Sequence, residues 1–237
     1  MNEPAPDPCI LAFETSAAVA SVALYQGASL LSLAEVRQDR SHARVLMPMI
    51  QDVLSQVNLS VDDISAVAVA SGPGSYTGLR VGVSAAKGLC YALGIPLLRI
   101  GTLDALAAQV TGWAHAMQAR ICPLLDARRA EVYVALFDAD LRSIEPVQPL
   151  VVDEHSFTGW LSSGPIIFVG DGVNKCLPFL KNHPQAVPAP EVLPSAANLG
   201  KWLLQAYQQG DFQDLMSFEP FYLKDIRITT PKNKLVS

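Results

Sequence analysis

The chain has 237 residues, with 17 Lys and Arg against 22 Asp and Glu and a formal net charge of −5 at pH 7. Half of the residues are apolar and 16% are charged, which excludes a disordered protein and a generic polyanion-binding protein. Because charged residues usually make up about 25% of a soluble chain, the low fraction indicates that a partner covers part of the surface. The length fits two domains, in an oligomer or a complex.

The sequence shows no signal for export or for a membrane. The first eight residues include two acidic residues and no Lys or Arg, unlike the basic start of a secretory signal. The longest uncharged run, 15–34, contains four serines and predicts a hairpin rather than a membrane span. The four cysteines form no Cys-x-x-Cys pair and are predicted to be buried thiols. We therefore expect a cytoplasmic protein that does not contact a membrane.

The first half of the chain predicts an antiparallel meander of three strands, followed by helices and buried strands in alternation. The ranges, in chain order, are 9–13, 19–25, 29–36, 41–57, 64–70, 78–93, 97–100 and a last helix from Thr102 or Asp104 to about 117. The helix at 41–57 contains Pro48, so we expect it to start late or to bend.

The second half repeats this pattern in weaker form. Strands are predicted at 122–125, 131–138 and 166–169, and a helix at 198–208. The segment 184–194 holds four of the 17 prolines, which predicts a linker or loop rather than a packed element, and the tail from Thr229 is expected to fray. We place an N-terminal domain at 1–110 and a C-terminal domain at 111–237. Whether a helix at 195–210 completes the first domain is left open.

Two glycine-rich turns permit either a phosphate contact or a structural role. The loop at 72–78 has Gly-x-Gly-x-x-x-Gly spacing and lacks Gly-Lys-Ser/Thr, which favours a structural turn. The tripeptide Gly170-Asp171-Gly172 follows a predicted strand and fits either role. The charged turn at 126–131 is predicted to be a solvated hairpin tip.

A stripe of small residues runs along the helix at 78–93, formed by Gly78, Gly82 and Ala86. Packing of the helix on its own sheet is the favoured explanation from spacing, and a helix–helix interface is the alternative. The four histidines lie in different elements, none near another His or a Cys, so no metal site is predicted. No Gly-x-Ser-x-Gly nucleophile motif is present.

Several segments resemble one protein family. The most specific is Gly-Pro-Gly-Ser-Tyr-Thr-Gly-Leu-Arg-Val-Gly, and the segments together cover 10–16, 21–24, 41–50, 72–82, 125–133 and 219–223. They resemble the TsaB (YeaZ) family of the tRNA threonylcarbamoyladenosine pathway over almost the whole chain. The resemblance implies an α/β fold of two tandem actin-like (ASKHA, ribonuclease H-like) domains, each a mixed sheet flanked by helices.

The resemblance also implies a pseudoenzyme with no catalytic residue and no metal. TsaD, the related catalytic subunit, carries a His-x-x-x-His metal pair where this chain has Thr102 and Leu106, which cannot replace imidazole. A Gly-Gly phosphate loop of TsaD corresponds here to Arg128 and Arg129, which argues against ordinary ATP binding. No tightly bound cofactor is expected, and ATP or ADP at the interface with TsaD is left open. The weak candidates for cofactor contacts are Thr15, Ser16, Gly170 and Gly172.

The role implied by the resemblance is a scaffold that binds TsaD and keeps it active. TsaD transfers a threonylcarbamoyl group to N6 of adenosine 37 in tRNAs that read ANN codons, within a set that includes the ATPase TsaE. This chain is expected to bind TsaD directly, TsaE through or with TsaD, and tRNA indirectly, and to form a homodimer when alone. The two long N-terminal helices would carry the interface. Its candidate residues are Met47, Gln51, Tyr76, Gly78, Arg80, Gly82 and Ala86.

Two positions depart from the family pattern. Glu14 stands where many actin-like proteins have Asp, and Lys224 where the family commonly has Arg, so charge is kept at both. Two alternatives to a scaffold remain. One is an independent actin-like enzyme, a small-molecule kinase or a metallopeptidase, which ATP or metal binding by the isolated chain would favour. The other is a homodimeric binding module, which self-association without displacement by another protein would favour.

Overall fold

Two five-stranded mixed sheets form the framework of the protein. The computed structural model describes residues 6–38 and 41–223. In each sheet the first strand is central, the second and third lie antiparallel on one side, and the fourth and fifth lie parallel on the other. The predicted fold class, two tandem actin-like domains, is confirmed.

The first sheet carries the two long helices. Its elements are β1 (Cys9–Glu14), β2 (Ala20–Gln26), β3 (Ser29–Val36), α1 (His42–Ser55), a 3-10 turn (Val61–Asp63), β4 (Ala66–Ala70), α2 (Tyr76–Leu93) and β5 (Leu97–Ile100). The strand order is β3-β2-β1-β4-β5. The predicted meander, both long helices and both parallel strands are therefore confirmed, with shifts of a few residues at their ends.

The second sheet repeats this order as β10-β9-β6-β7-β8. The remaining elements are α3 (Thr102–Ala108), α4 (Thr111–Met117), β6 (Arg120–Asp126), β7 (Glu131–Phe137), β8 (Ser143–Val151), α5 (Thr158–Leu161), β9 (Ile166–Val169), α6 (Val173–Leu180), β10 (Ala186–Ala189) and α7 (Gly200–Gln209). The helix α7 returns to the first sheet, where Leu203 packs in one cluster with Tyr25 and Leu98.

The first sheet is covered on both faces, which explains the continuous apolar runs of β1 and β4. The helices α1 and α2 cover the face that bears Leu11 and Phe13. The helices α3 and α7 cover the opposite face, which bears Ile10 and Ala12. Pro48 lies inside α1, which begins at His42, one residue after the predicted start, and the expected bend at Pro48 stays a prediction.

Three predictions of local structure were wrong or incomplete. The helix predicted from 102 to 117 is divided into α3 and α4, and the Gln109 side chain at the break donates hydrogen bonds to the carbonyls of Ala105 and Ala197. The segment 184–194, predicted as a loop, contains β10, an edge strand that tolerates Pro188 because no further strand requires its N–H. The elements β8, α5 and α6 were not predicted.

The four cysteines are free and buried, as predicted. No helix in residues 6–38 and 41–223 is long and apolar enough to cross a membrane. The predictions about Lys224 and the tail from Thr229 lie outside the described residues.

Candidate functional site: the cleft between the two sheets

A cleft of about 1280 Å³ opens where the carboxyl ends of both sets of parallel strands meet. Four turns line it: residues 16–18 after β1, 73–78 after β4, 125–131 between β6 and β7, and Asp171 after β9. Residues 221–223 close one side. Because the two sheets share one topology, each domain contributes one turn after its first strand and one after its fourth.

The turn after β4 is closed by the chain's own backbone. The N–H of Ser75 donates to the carbonyl of Ser16 at 2.7 Å, and the Ser75 hydroxyl accepts from the N–H of Gly78 at 3.3 Å. A Cβ on Gly78 would lie 2.0 Å from the carbonyl oxygen of Thr15. The glycine is therefore required for close approach of α2 to the turn after β1, and the structural interpretation of this loop is confirmed.

The small-residue stripe of α2 faces the first sheet. A Cβ on Gly82 would lie 2.4 Å from Thr15 Oγ1, and Ala86 is fully buried. The Thr15 hydroxyl donates to the carbonyl of Gly78 at 2.8 Å. The prediction that Gly78, Gly82 and Ala86 form a partner interface was wrong, because these residues pack on their own domain. The intradomain alternative is the observed one.

The other predicted interface residues remain accessible on α1 and α2. Met47, Gln51 and Arg80 are exposed, and Tyr76 is half-buried. The Arg80 guanidinium lies 4.3 Å from the centroid of the Tyr76 ring, and a hydrogen bond with Tyr222 raises the pKa of Arg80. The Tyr222 ring lies 5.2 Å from that of Tyr76.

Tyr222 was not predicted as part of this surface, although it belongs to a recognised motif. The segment that carries it is held in place because the N–H of Phe221 donates to the carbonyl of Ser71 at 2.6 Å. Nothing in the sequence indicated that the rings of Tyr76 and Tyr222, 146 positions apart, would be in contact. The outer face of α2 is therefore a composite of the N-terminal domain and the C-terminal segment.

The turn between β6 and β7 presents charge to the cleft. Arg128 and Arg129 are exposed and have left-handed backbone angles, with φ of 69° and 52°. Asp126 Oδ1 contacts Lys175 Nζ at 2.6 Å and accepts from the N–H of Arg128 at 2.6 Å. Partial burial acts to raise the pKa of Asp126, but these contacts outweigh it and lower the pKa below its ordinary value. The predicted solvated tip is thus tied to α6 at its base.

The turn after β9 is also filled by backbone. The N–H of Gly172 donates to the carbonyl of Leu124 at 3.1 Å, and a Cβ on Gly170 would lie 2.3 Å from that oxygen. These contacts explain why glycine stands at both positions. The Thr15 hydroxyl already donates to the carbonyl of Gly78 in α2. Of the four weak cofactor candidates, Ser16 lines the cleft. Cofactor binding itself stays a prediction.

The two residues that correspond to the metal-binding histidines of TsaD lie inside the protein. Thr102 and Leu106 are fully buried on α3. Leu106 packs against Gly170, where a Cβ would meet Leu106 Cδ2 at 2.5 Å. No group of three or more His, Cys, Asp or Glu suited to a metal ion occurs in residues 6–38 and 41–223.

Glu14 lies under the floor of the cleft and is fully buried. Burial raises its pKa to about 7, and hydrogen bonding by the adjacent Ser16 opposes this shift in part. The N–H of Ser16 donates to Glu14 Oε1 at 2.5 Å, while Oε2 has no hydrogen-bond partner. Among the ion pairs of the described residues, none involves Glu14.

Two sheets of the same strand order around a shared cleft define an actin-like (ASKHA) protein. The sequence model of the family described as TsaD, tRNA N6-adenosine threonylcarbamoyltransferase, matches residues 34–155. The chain is 30% identical over 224 residues to the tRNA threonylcarbamoyladenosine biosynthesis protein TsaB of Escherichia coli K12, covering 91% of this chain and 94% of that protein. The chain belongs to the TsaB (YeaZ) family.

Two further similarities agree with this assignment. The TsaB protein of Bacillus subtilis 168 is 32% identical over 167 residues, which cover 68% of this chain and 70% of that protein. The structure of YeaZ from Pseudomonas aeruginosa superimposes with a TM-score of 0.77 at 25% identity, over 91% of this chain and all of that one.

Proposed function

We propose that the chain is a non-catalytic scaffold subunit in tRNA threonylcarbamoyladenosine biosynthesis. It binds a TsaD-type transferase and supports threonylcarbamoyl transfer to N6 of adenosine 37 in tRNAs that read ANN codons. Its relatives are named for this pathway. The observation that carries the non-catalytic part is the pairing of the two turns that line the cleft: after β4 and after β9, backbone N–H groups donate to the protein's own carbonyls.

The missing metal ligands support the same proposal. A catalytic metal requires side chains that donate electron pairs and point into an accessible space. Thr102 and Leu106 are buried, and Leu106 fills the space beside Gly170. These contacts argue against the alternative of an independent kinase or metallopeptidase, because the N–H groups of Ser75 and Gly172 are already paired and side chains that bind metal are missing at 102 and 106.

The partner surface is the exposed face of α1 and α2. Met47 is 45% exposed, and an exposed methionine adapts well to a partner surface. Tyr76, Arg80 and Tyr222 are in mutual contact, and Tyr and Arg are residue types that often dominate binding energy at protein interfaces. We place the contact with TsaD on this face, which two copies of the chain share when TsaD is absent.

Size-exclusion chromatography with light scattering tests the proposal, using the chain alone and mixed with its cognate TsaD. Arg80→Glu and Met47→Glu place a negative charge on the proposed face and are expected to abolish the heterocomplex while the variants stay folded by circular dichroism. Trp113→Glu, on α4 in an exposed position of similar apolar character, is the matched control and should retain the complex.

Activity provides the second readout. The purified chain alone is expected to show no transferase or ATPase activity, and to restore tRNA modification when added to TsaD and TsaE. Transfer or ATP hydrolysis by the isolated chain would overturn the non-catalytic assignment. Failure of the wild-type chain to form a heterocomplex would overturn the scaffold.

A further inference from the structure

The described part of the chain ends at the wall of the cleft. Residues 221–223 line one side of it. The N–H of Phe221 donates to the carbonyl of Ser71 at 2.6 Å, which fixes the path of the chain there. The five residues that follow, 224–228 (the tail segment), lie outside the described residues and have the sequence Lys-Asp-Ile-Arg-Ile. The tail segment therefore begins beside the cleft rather than on a distant surface.

The tail segment is long enough to cross the cleft. Five extended residues span up to about 17 Å, whereas a cube with the volume of the cleft, 1280 Å³, has an edge of about 11 Å. The second domain lines the cleft with the turn at 125–131 and with Asp171. These side chains are therefore within reach of the tail segment.

Asp171 is a carboxylate of the cleft wall without an ion pair in the part of the chain that the structure describes. The ammonium group of Lys175 is bound elsewhere, to Asp126 Oδ1 at 2.6 Å and to the carbonyl of Glu131 at 3.0 Å. Burial raises the pKa of Asp171, the N–H of Asp126 opposes this shift, and the charge of Asp126 adds to it. A cation in the cleft would therefore stabilise the ionised form of Asp171.

The tail segment carries charges of both signs that complement the cleft. Its two cations, Lys224 and Arg227, complement Asp171. Its one anion, Asp225, complements Arg129, which is exposed in the turn between β6 and β7 and forms no ion pair among the described residues. Charge complementarity therefore favours this segment as the occupant of the cleft.

We propose that the tail segment occupies the cleft, with Arg227 paired to Asp171. Arginine binds a carboxylate through two parallel N–H donors, which suits it to this pairing. Ile226 and Ile228 add apolar area that gains free energy when the cleft removes it from water. Because the tail segment is tethered at Leu223, its effective concentration in the cleft exceeds that of a free ligand. The inference concerns the isolated chain and does not rest on its role as a scaffold.

Trypsin digestion of the full chain, followed by mass spectrometry, tests this contact, because cleavage after Arg227 requires the tail segment to leave the cleft. A synthetic peptide of residues 219–237 gives the unprotected rate at each site. Cleavage after Arg227 should be at least about tenfold slower in the protein than in the peptide. Cleavage after Lys232, beyond the tail segment, should be nearly equal in both. Equal rates at Arg227 would overturn the proposal and leave the cleft to another ligand.

A variant of the cleft wall identifies the partner of Arg227. Asp171→Asn keeps an oxygen that can accept the N–H of Asp126 and removes the charge, so the protection at Arg227 should fall at least about threefold. Asp138→Asn is the matched control, because Asp138 also accepts backbone N–H groups in a turn of the second domain but does not line the cleft. It should keep the full protection. Equal protection in the wild type and in Asp171→Asn would overturn the pairing.

Amide hydrogen exchange provides a readout from the cleft side. Arg227→Glu changes the tail segment alone and should speed exchange in residues 127–130 at least about threefold. Lys232→Glu makes the same change of charge outside the tail segment and should leave that exchange unchanged. Exchange in Arg227→Glu equal to that of the wild type would overturn the proposal.

Discussion

The two domains end their first strands in the cleft with an acidic residue, but in opposite electrostatic settings. Glu14 at the end of β1 is fully buried without an ion pair among the described residues, and burial raises its pKa to about 7. Asp126 at the end of β6 contacts Lys175 at 2.6 Å, and its pKa is lowered although partial burial acts to raise it. The same topological position therefore holds one carboxyl poised for protonation and one carboxylate held ionised.

The helices that follow the fourth strand of each sheet differ in a similar way. The third residue of α6 is Lys175, and the third residue of α2 is Gly78. Lys175 reaches back to the turn after β6 and contacts Asp126. Gly78 instead lets α2 pack directly on the backbone of Thr15. The helix after the fourth strand therefore presents a charged contact in the second domain and a close backbone contact in the first.

The largest expected effect comes from breaking the close approach in the first domain. In Gly78→Ala a Cβ would lie 2.0 Å from the carbonyl oxygen of Thr15, so backbone must move, and we expect a loss of stability of about 3 kcal/mol. Gly88→Ala, on the same helix with no atom within 4 Å of its Cβ, should instead gain about 0.5–1 kcal/mol. Urea denaturation of both variants measures the difference, and equal values would refute the packing argument.

The small residues of α2 also show what could not be predicted from the sequence. The spacing of Gly78, Gly82 and Ala86 predicted a small-residue stripe, and the spacing alone favoured packing on the sheet. The family resemblance then turned the stripe towards a partner, because the interface was expected on the long helices. Periodicity gives the residues that share a face but not the direction in which that face points, so the tertiary contacts decided the outcome.

Non-local contacts account for the other omissions. The succession of strands and helices along the first domain followed from uninterrupted apolar runs and a clear change of period at α1. The contact between Lys175 and Asp126 joins residues 49 positions apart, and no local pattern indicates it. The edge strand β10 escaped prediction because four prolines normally mark a loop, whereas an edge strand leaves N–H positions that need no partner.

The second expected effect is a pH dependence of stability that Glu14 causes and Asp126 does not. The pKa of Glu14 is about 7 in the folded protein against an ordinary value of 4.5, so the folded state binds the proton more tightly. Stability is therefore greatest below the ordinary pKa and falls as pH rises through the folded one, by about 2 kcal/mol between about pH 5 and pH 8. Urea denaturation of the wild type and of Glu14→Gln at about pH 5 and about pH 8 measures this loss.

Glu14→Gln has no proton to release and should lack that part of the pH dependence. The fall is expected to be present in Asp126→Asn, because the pKa of Asp126 is shifted in the opposite direction. If wild type and Glu14→Gln lose stability in parallel, another group is responsible and the buried carboxyl does not distinguish the two domains.

The smallest effect is expected in the second domain, where the ion pair is partly exposed. Lys175→Met keeps the apolar stem and removes the charge, and we expect a loss of stability below about 1 kcal/mol, since Asp126 is 43% exposed and solvent screens the pair. The pKa of Asp126 should rise towards its ordinary value, because the partial burial of this carboxyl is then no longer opposed by the ammonium group. A carboxyl titration followed by NMR measures that rise. An unchanged pKa would show that the N–H of Arg128, which donates to the same oxygen at 2.6 Å, is sufficient to hold the carboxylate ionised.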